Sequence, residues 1–524
     1  MADGCEVMKR RLARSAPSIA MMRPSAWPNG VTSLLRVGAF AAFARRMLPK
    51  MLLLRVILFA LLSAVIAPPH VALAEPRLLI RDGLIFTMKD GEPTPFLGYV
   101  LVGSDGRIST VGRGSPPSNL TAQSTVDASG KMVVPGFVSG HSHIFATGMR
   151  GLGASLTIRD WIDAWIPYIS ASSDMDLYYF TLHGCLDFLK YGITSAYNFA
   201  YDGSEFSGYA GKPAAQRPGD WDELQIRGAV ESGIRVVHSF SLRHADTDDQ
   251  NRAYVASVVK IGQRYSATYD NFLKLSIMGS TAFVDTPEMA RQEGMVLREF
   301  GIDNQSHFLE PPDNLEQRSR FPWFMDAGLL GTNLTFGHFI HTTPEIISAS
   351  GKAGAMMCWN PMSNGRLASG VADIPACLKA GIHIGMGVDD QAASDIPDPF
   401  ENMRMGLYMI RSRYEDAKIL SPYDVLKFHT LGAAEVMRVA DRVGSLEVGK
   451  FGDVLVVDPR RRDVGPVHDP YATLVLACGQ MNLDQVYVGG VLKAVRGELV
   501  GVQFERISDE VHRRVAAAIA RVKP

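Results

Sequence analysis

Cysteine is scarce and scattered: Cys5, Cys185, Cys358, Cys377 and Cys478 are the five in 524 residues, and no two form a C-x-x-C pair. That excludes a zinc ribbon and offers no disulfide framework, so each is expected to be a buried apolar side chain. The H-x-E…P-C-x-x-C signature is also missing, which excludes the zinc deaminases that carry it. No sign of charge dominates: 53 Lys and Arg face 54 Asp and Glu, for a formal net charge of −1. With no long basic run after the N-terminal region, nothing recommends a nucleic-acid partner. The apolar run from Val56 to Ala67 is too short to span a bilayer comfortably. What remains is ordinary globular composition, long enough for one large barrel and a smaller domain.

That apolar run reads instead as part of a signal peptide. Arg45, Arg46, Lys50 and Arg55 supply a basic flank, and Val71-Ala72-Leu73-Ala74 places small residues at the −3 and −1 positions of a cleavage site. Cleavage after Ala74 gives a mature chain from Glu75, secreted or periplasmic, with no stable membrane insertion. The alternative is an uncleaved anchor. Translation is also compatible with a start at Met47 or Met51, and Arg45-Arg46 faintly resembles a twin-arginine signal.

From Arg77 to about Val134, β-type runs are punctuated by glycine turns (LLIRDGLIFTM, GYVLVGSDGRISTVG, TVDASGKMVV), and the pattern returns in GSLEVGKFGDVLVVD and LDQVYVGGVLKAVRGELVG. Alternation of this kind predicts an antiparallel sheet assembled from both chain ends. Between them, eight buried-looking runs alternate with helical stretches: MVVPGFVSG, SAYNFAY, RVVHSFSL, FLKLSIMG, DNQSHFLE, NLTFGHFI, AMMCWNP and HIGMGVDD. This is the α/β pattern of a parallel (β/α)₈, TIM-like barrel. Chemistry in such barrels gathers at the C-terminal ends of the strands.

Histidines and acids recur at those ends. His141 and His143 follow the first run and, two apart in extended backbone, face the same side. His307 and Glu310 end the fifth run, His338 the sixth, and Asp389 the eighth. Three imidazole nitrogens and a carboxylate make a shell for zinc with room for water, which such an ion deprotonates near neutral pH. Any one of these residues alone reads as a satisfied core or cap residue; their joint placement points to a metal. His183, His383, His429, His468 and His512 receive no role. His238 or His244 is a candidate for the pocket wall, and His341 for support of the site. Lys274 sits early in its run and reads as structural.

The motifs VVPGFVSGHSHIFATGMRG, YGITSAYNF, HFLE, CWNPMSNGRLASGV, GVDDQAAS and GSLEVGKFGDVLVVD resemble the amidohydrolase superfamily. The branch is that of chlorohydrolases, methylthioadenosine/adenosylhomocysteine deaminases and cytosine-deaminase-like enzymes. The resemblance spans essentially all of the chain after residue 74. It implies a barrel with a composite β-sandwich from both chain ends and one divalent metal, zinc with Fe²⁺ as the alternative. Residues 1–74 are then the extension and signal, 75–135 and 441–524 the two parts of the sandwich with a C-terminal helix, and 136–440 the barrel. By the same resemblance His141, His143, His307 and Asp389 are metal ligands, Glu310 protonates a ring nitrogen, and His338 polarises the reacting centre. Asp389 also shuttles the water's proton. Nucleoside-deaminating relatives carry Pro-His where this chain reads Met278-Gly279-Ser280, and a glutamate where Trp161…Pro167 leads to Ile169. Trp359 stands in place of their histidine before Asn-Pro, a flat surface suited to stacking. Arg150, Trp161 and Trp359 are the expected substrate contacts.

The leading expectation is hydrolytic deamination, or a related displacement, at a carbon of a nitrogen heterocycle lacking ribose. The runner-up is amide or peptide hydrolysis, prolidase-like or on a cyclic amide, which a two-metal site using Lys274 favours. The third reading, a non-catalytic ligand-binding barrel, sits poorly with so complete a site. The expected partner is a small-molecule substrate, and a homo-oligomer is compatible with either enzymatic reading.

Overall fold

The computed structural model describes residues 75–201, 220–243 and 246–522. The segment expected from the sequence to be a signal peptide, Cys5 and His244 lie outside the described residues. Nine strands form the sheet domain: β1 (Leu78–Ile85), β2 (Phe96–Val102), β3 (Ile108–Arg113), β4 (Ser124–Asp127), β5 (Met132–Pro135), and, after the barrel, strands from the C-terminal part. Asp82-Gly83, read from sequence as a turn, is a bulge inside β1, with Asp82 at φ 59°. The bulge lets one strand serve two partners: Leu78–Arg81 pair with β4 and Leu84–Ile85 with β5, both parallel. The sheet is therefore mixed rather than antiparallel throughout.

The barrel follows without a linker. Its strands are β6 (Phe137–Ser139), β7 (Ile193–Phe199), β8 (Arg235–Phe240), β9 (Phe272–Gly279), β10 (Asn304–Phe308), β11 (Leu334–His338), β12 (Met356–Trp359) and β13 (Ile384–Met386), hydrogen-bonded in sequence order. All eight expected runs supply one strand each. Pairing is parallel throughout, and every residue of β7 and β8 is buried, as befits strands covered on both faces. Closure comes just past the strand ends: Gly140 N–H donates to Met386 O (2.9 Å), Asp389 N–H to His141 O (3.1 Å) and His143 N–H to Asp389 O (2.9 Å). The first and last strands thus meet at the residues expected to bind metal.

The remaining sheet strands are β14 (Val454–Val457), β15 (Leu483–Val488), β16 (Val491–Val495) and β17 (Glu498–Leu499). Antiparallel pairing of β14 with β5 joins the two chain ends, and Leu78, Ile80, Val100, Val133, Val454 and Val456 fill the core of this sheet. The final helix, Phe504–Val522, leaves the sheet and packs on barrel helices Ile158–Ser170 and Asp174–Lys190. Arg514 Nη1 anchors it on the buried carboxylate of Asp176 at 2.7 Å. Among the described residues no helix is long and apolar enough to cross a membrane. Cys185, Cys358, Cys377 and Cys478 are free and buried.

Candidate metal centre and catalytic cleft

The side chains singled out from the sequence converge at the C-terminal mouth of the barrel. Ligand atoms of His141, His143 and His307 lie within 4.8 Å of one another, as do those of His141, His338 and Asp389. His143 Nε2 is 3.0 Å from His307 Nε2, and Asp389 Oδ1 is 3.6 Å from His141 Nε2 and 3.8 Å from His143 Nε2. Left-handed backbone helps aim these groups: Leu309 (φ 55°), His338 (φ 65°) and Asp389 (φ 63°) turn the chain at three strand ends. Such conformations cost energy at a non-glycine residue and gather at functional sites. Gly337 is required by close approach, because a Cβ there would stand 2.8 Å from His141 Cε1.

The donor set fits a divalent metal. His141 Nδ1–H donates to Gln305 Oε1 (2.7 Å), and Gln305 Nε2–H in turn donates to Gly140 O (3.1 Å), fixing which way the amide faces. This leaves the lone pair of His141 Nε2 pointed inward, fully buried and with no hydrogen-bond partner. A buried acceptor kept unsatisfied costs stability unless something binds it, and an imidazole oriented through its far nitrogen is the usual support of a metal ligand. Burial and mutual repulsion hold His141, His307 and His338 well below the ordinary histidine range, so the rings are neutral and able to coordinate.

Around this centre lie the proton-carrying groups. Glu310, 6% exposed, accepts a hydrogen bond from Ser369 Oγ–H (3.2 Å), and its Oε1 is 3.4 Å from His338 Nδ1. Burial, with Asp389 close by, pushes its carboxyl up to about 8. Burial likewise raises Asp389, whose Oδ2 accepts from Ser363 Oγ–H at 2.5 Å. Asn364 Nδ2–H donates to His338 Nδ1 (2.7 Å), and Asn360 Nδ2 lies 3.3 Å from His338 Nε2. His341 supports the site from outside it: its Nε2 is 2.7 Å from the carbonyl of Ser369, the residue that holds Glu310.

The cleft above is lined by Ile158, Trp161, Ile162, Trp165 and Phe283 on one side, and by His143, His307, Glu310, His338, Asp389 and Asp390 on the other. Trp161 is where the sequence placed it. Arg150 is not: its guanidinium is held 2.6 Å from the Asp187 carboxylate and lines a separate surface cavity beside the C-terminal helix. Trp359 is not a cleft residue either. Strand alternation turns it outward, 1% exposed, against Gly406 of helix Pro399–Tyr414, while Asn360 faces in. His238 also faces outward, its Nε2 bound to Asp222 Oδ1 at 2.9 Å. Lys274 pairs with Asp303 at the starts of β9 and β10, the end of the barrel opposite the cleft.

Sequence reasoning passed over Gln305, Asn360, Ser363, Asn364, Asp390 and most of the apolar wall. Ile158, Trp161, Ile162 and Trp165 recur at helical spacing, which is also the signature of a core-facing stripe. A polar Gln305 two residues before His307 in a buried strand was the available signal for the support of His141.

Over residues 132–493 the chain matches the model of the amidohydrolase family. It is 26% identical over 454 residues, covering 85% of this chain and all of the relative, to a 5-methylthioadenosine/S-adenosylhomocysteine deaminase of Desulforudis audaxviator. It is 23% identical, over 86% of this chain and 99% of the relative, to a 5'-deoxyadenosine deaminase of Methanobrevibacter smithii. Its fold is that of an adenosine deaminase from Xanthomonas campestris solved with bound zinc (TM-score 0.73, 20% identity, 85% and 99% of the two chains). The atrazine chlorohydrolase of Arthrobacter aurescens, complexed with zinc, has the same fold (TM-score 0.71, 19% identity, 84% and 100%). The chain belongs to the amidohydrolase family and is a hydrolase acting on carbon–nitrogen bonds other than peptide bonds.

Proposed function

We propose that the protein is a zinc-dependent deaminase acting on a nitrogen heterocycle without ribose, exported from the cytoplasm, with His141, His143, His307 and Asp389 as the metal ligands. The observation that carries the chemical reading is the buried Glu310 carboxyl, 3.4 Å from His338 and beside the histidine–aspartate cluster. A ring nitrogen bound there meets an acid before its exocyclic amine is displaced. The metal would supply a Lewis acid and bring a water's pKa toward neutrality.

The chain's own groups do the rest. Asp389 takes the proton of the attacking water and passes it to the leaving amine, while Glu310 gives its proton to the ring nitrogen as the ring carbon becomes tetrahedral. His338, its ring oriented by the Asn364 amide N–H at Nδ1, presents Nε2–H and polarises the reacting centre. Trp161 and Trp165 offer flat surfaces to a ring and keep bulk water out.

Three of the four proteins named above are deaminases of adenosine or its derivatives, which carry a ribose-type sugar; the fourth, an atrazine chlorohydrolase, is not. Two features support a different substrate here. Met278-Gly279-Ser280 and Ile169 stand where the pattern of nucleoside deaminases has groups for ribose hydroxyls, and among the described residues the wall opposite the centre is wholly apolar but for the indole N–H groups. The amide-hydrolase reading leaned on Lys274, which is ion-paired with Asp303 instead. Assaying ammonia release from a panel of heterocyclic amines, adenosines and acyl amino acids tests the proposal. Turnover confined to adenosines would remove the ribose-free substrate, and turnover confined to acyl amino acids would remove deamination.

A further inference from the structure

A second cavity, of about 630 Å³, lies between the C-terminal helix Phe504–Val522, the helix Asp174–Lys190 and the turn that follows His143. It shares no lining residue with the catalytic cleft, and its size is that of a small-ligand site. Its polar side is rich in donors. His183, Asp187 and Lys190 line it from one face of their helix, at positions i, i+4 and i+7. His183 is 8% exposed, and its Nδ1 is 3.0 Å from Thr147 Oγ1. Burial lowers the pKa of this ring to about 4, so it is neutral and carries one N–H. The Thr147 hydroxyl has no other acceptor among the described residues, so it donates to Nδ1 and places the ring proton on Nε2. That Nε2–H has no protein partner among the described residues, and the cavity is where one can reach it. Phe504 stacks on the His183 ring with centroids 4.9 Å apart, and Lys190 Nζ sits 4.4 Å from the same Phe504 centroid. Among the described residues Lys190 makes no ion pair. Arg150 gives Nη2–H to Asp187 and Nε–H to the Gln391 carbonyl at 3.4 Å, which leaves Nη1 uncommitted. Val511, Val515, Ala516 and Ile519 of the C-terminal helix add an apolar wall.

We propose that this cavity is a binding site for a small carboxylic acid with an apolar body, distinct from the catalytic cleft. Of its fixed charges two are positive, Arg150 and Lys190, and one is negative, Asp187. Asp187 is already engaged by Arg150 at 2.6 Å, so one cation is left over and a monoanion neutralises the wall. The uncommitted donors on His183, Lys190 and Arg150 suit carboxylate oxygens, which take charge-assisted hydrogen bonds from such groups. The C-terminal helix then covers the body of the acid with Val511, Val515 and Ile519. A neutral ligand leaves the extra cation unpaired, and a cationic one is repelled by it.

Isothermal titration calorimetry on the zinc-loaded full chain tests this with 4-phenylbutyrate, 4-phenylbutanol and 4-phenylbutylamine. The acid is expected to bind about 10–100-fold more tightly than the alcohol, the worth of hydrogen bonds to a charged group, and the amine more weakly than either. A carboxylate also has affinity for zinc in the cleft, so two variants fix the location. Lys190→Gln removes the surplus cation and Ala516→Trp fills the cavity; neither touches the metal ligands. In each, affinity for the acid should fall by about 10-fold or more, with zinc content and melting temperature as in the wild type. Unchanged affinity for the acid in either folded variant overturns the proposal. So does an alcohol or amine that binds the wild type as tightly as the acid, or the absence of binding by any probe. Should Lys190→Gln fail to fold, Ala516→Trp decides the location and the acid-to-alcohol ratio decides the charge. The readout is binding alone, so this site stands or falls apart from the reaction proposed for the cleft.

Discussion

Glu310→Gln separates a proton shuttle from a structural cap. The glutamine keeps the shape of the side chain, and its amide oxygen can still accept from Ser369 Oγ, 3.2 Å away in the wild type. Folding stability should therefore change by no more than about 1 kcal/mol. Turnover is another matter. Burial and Asp389 push the Glu310 carboxyl up to about 8, and a dication bound beside it pulls that value back down. The alkaline limb of kcat/KM, where Glu310 loses the proton it must donate, is expected between the ordinary carboxyl range and about 8. The amide has no proton of this kind to give. Its kcat should fall by about 10²–10⁴, the usual worth of a positioned acid, and the limb should vanish. The assay is ammonia release from pH 5 to 9, with metal content and a melting curve on the same preparation. A variant that keeps most of its kcat and the same alkaline limb refutes the reasoning and leaves Asp389 as the only shuttle, which favours amide hydrolysis.

Gly337→Ala should lower metal affinity by about 10–100-fold, because its Cβ would press on the His141 ring at 2.8 Å and dislodge a supported ligand. Equilibrium dialysis reads this, with Gly331→Ala as the control, since a Cβ there meets only Ala353 O at 3.9 Å; equal affinities contradict the packing argument. His429, buried between Val138 O and the Asn402 amide, has its pKa lowered from 6.5 to about 4, chiefly by burial. Between those values the unfolded chain binds a proton that the folded ring refuses, so stability falls with pH across that window by about 3 kcal/mol. Urea midpoints of the wild type and His429→Gln between pH 7 and 4 test this, and identical pH dependence would rule it out. N-terminal sequencing of protein from the native host should begin at Glu75; an intact Val56–Ala67 segment in the membrane fraction speaks for the anchor.

The order of barrel strands and the convergence of His141, His143, His307, His338 and Asp389 were legible because each rests on a local rule. Apolar runs end in chemistry-bearing residues, and a parallel barrel brings all such ends to one mouth. What was not legible depends on direction. Arg150 and Trp359 carry suitable chemistry, but a buried Asp187 captures the first and the period-two alternation of β12 turns the second outward. The parallel pairings of β1 follow from a bulge at Asp82-Gly83 that reads as a turn in one dimension. The apolar wall was hidden for the opposite reason: Ile158, Trp161, Ile162 and Trp165 obey the core-helix pattern, and only the tertiary fold shows that this stripe faces a cleft. Gln305 and Asn364 orient His141 and His338 through hydrogen bonds between residues distant in sequence, which no spacing announces.

The central claim is that one metal, held by His141, His143, His307 and Asp389, is inseparable from turnover. Its most direct test is metal stoichiometry measured beside ammonia release on the same samples of wild type and His307→Ala, each supplied with zinc. One ion per wild-type chain is expected, and in the variant the loss of metal and activity together. A His307→Ala protein that is metal-free and still releases ammonia at the wild-type rate contradicts it.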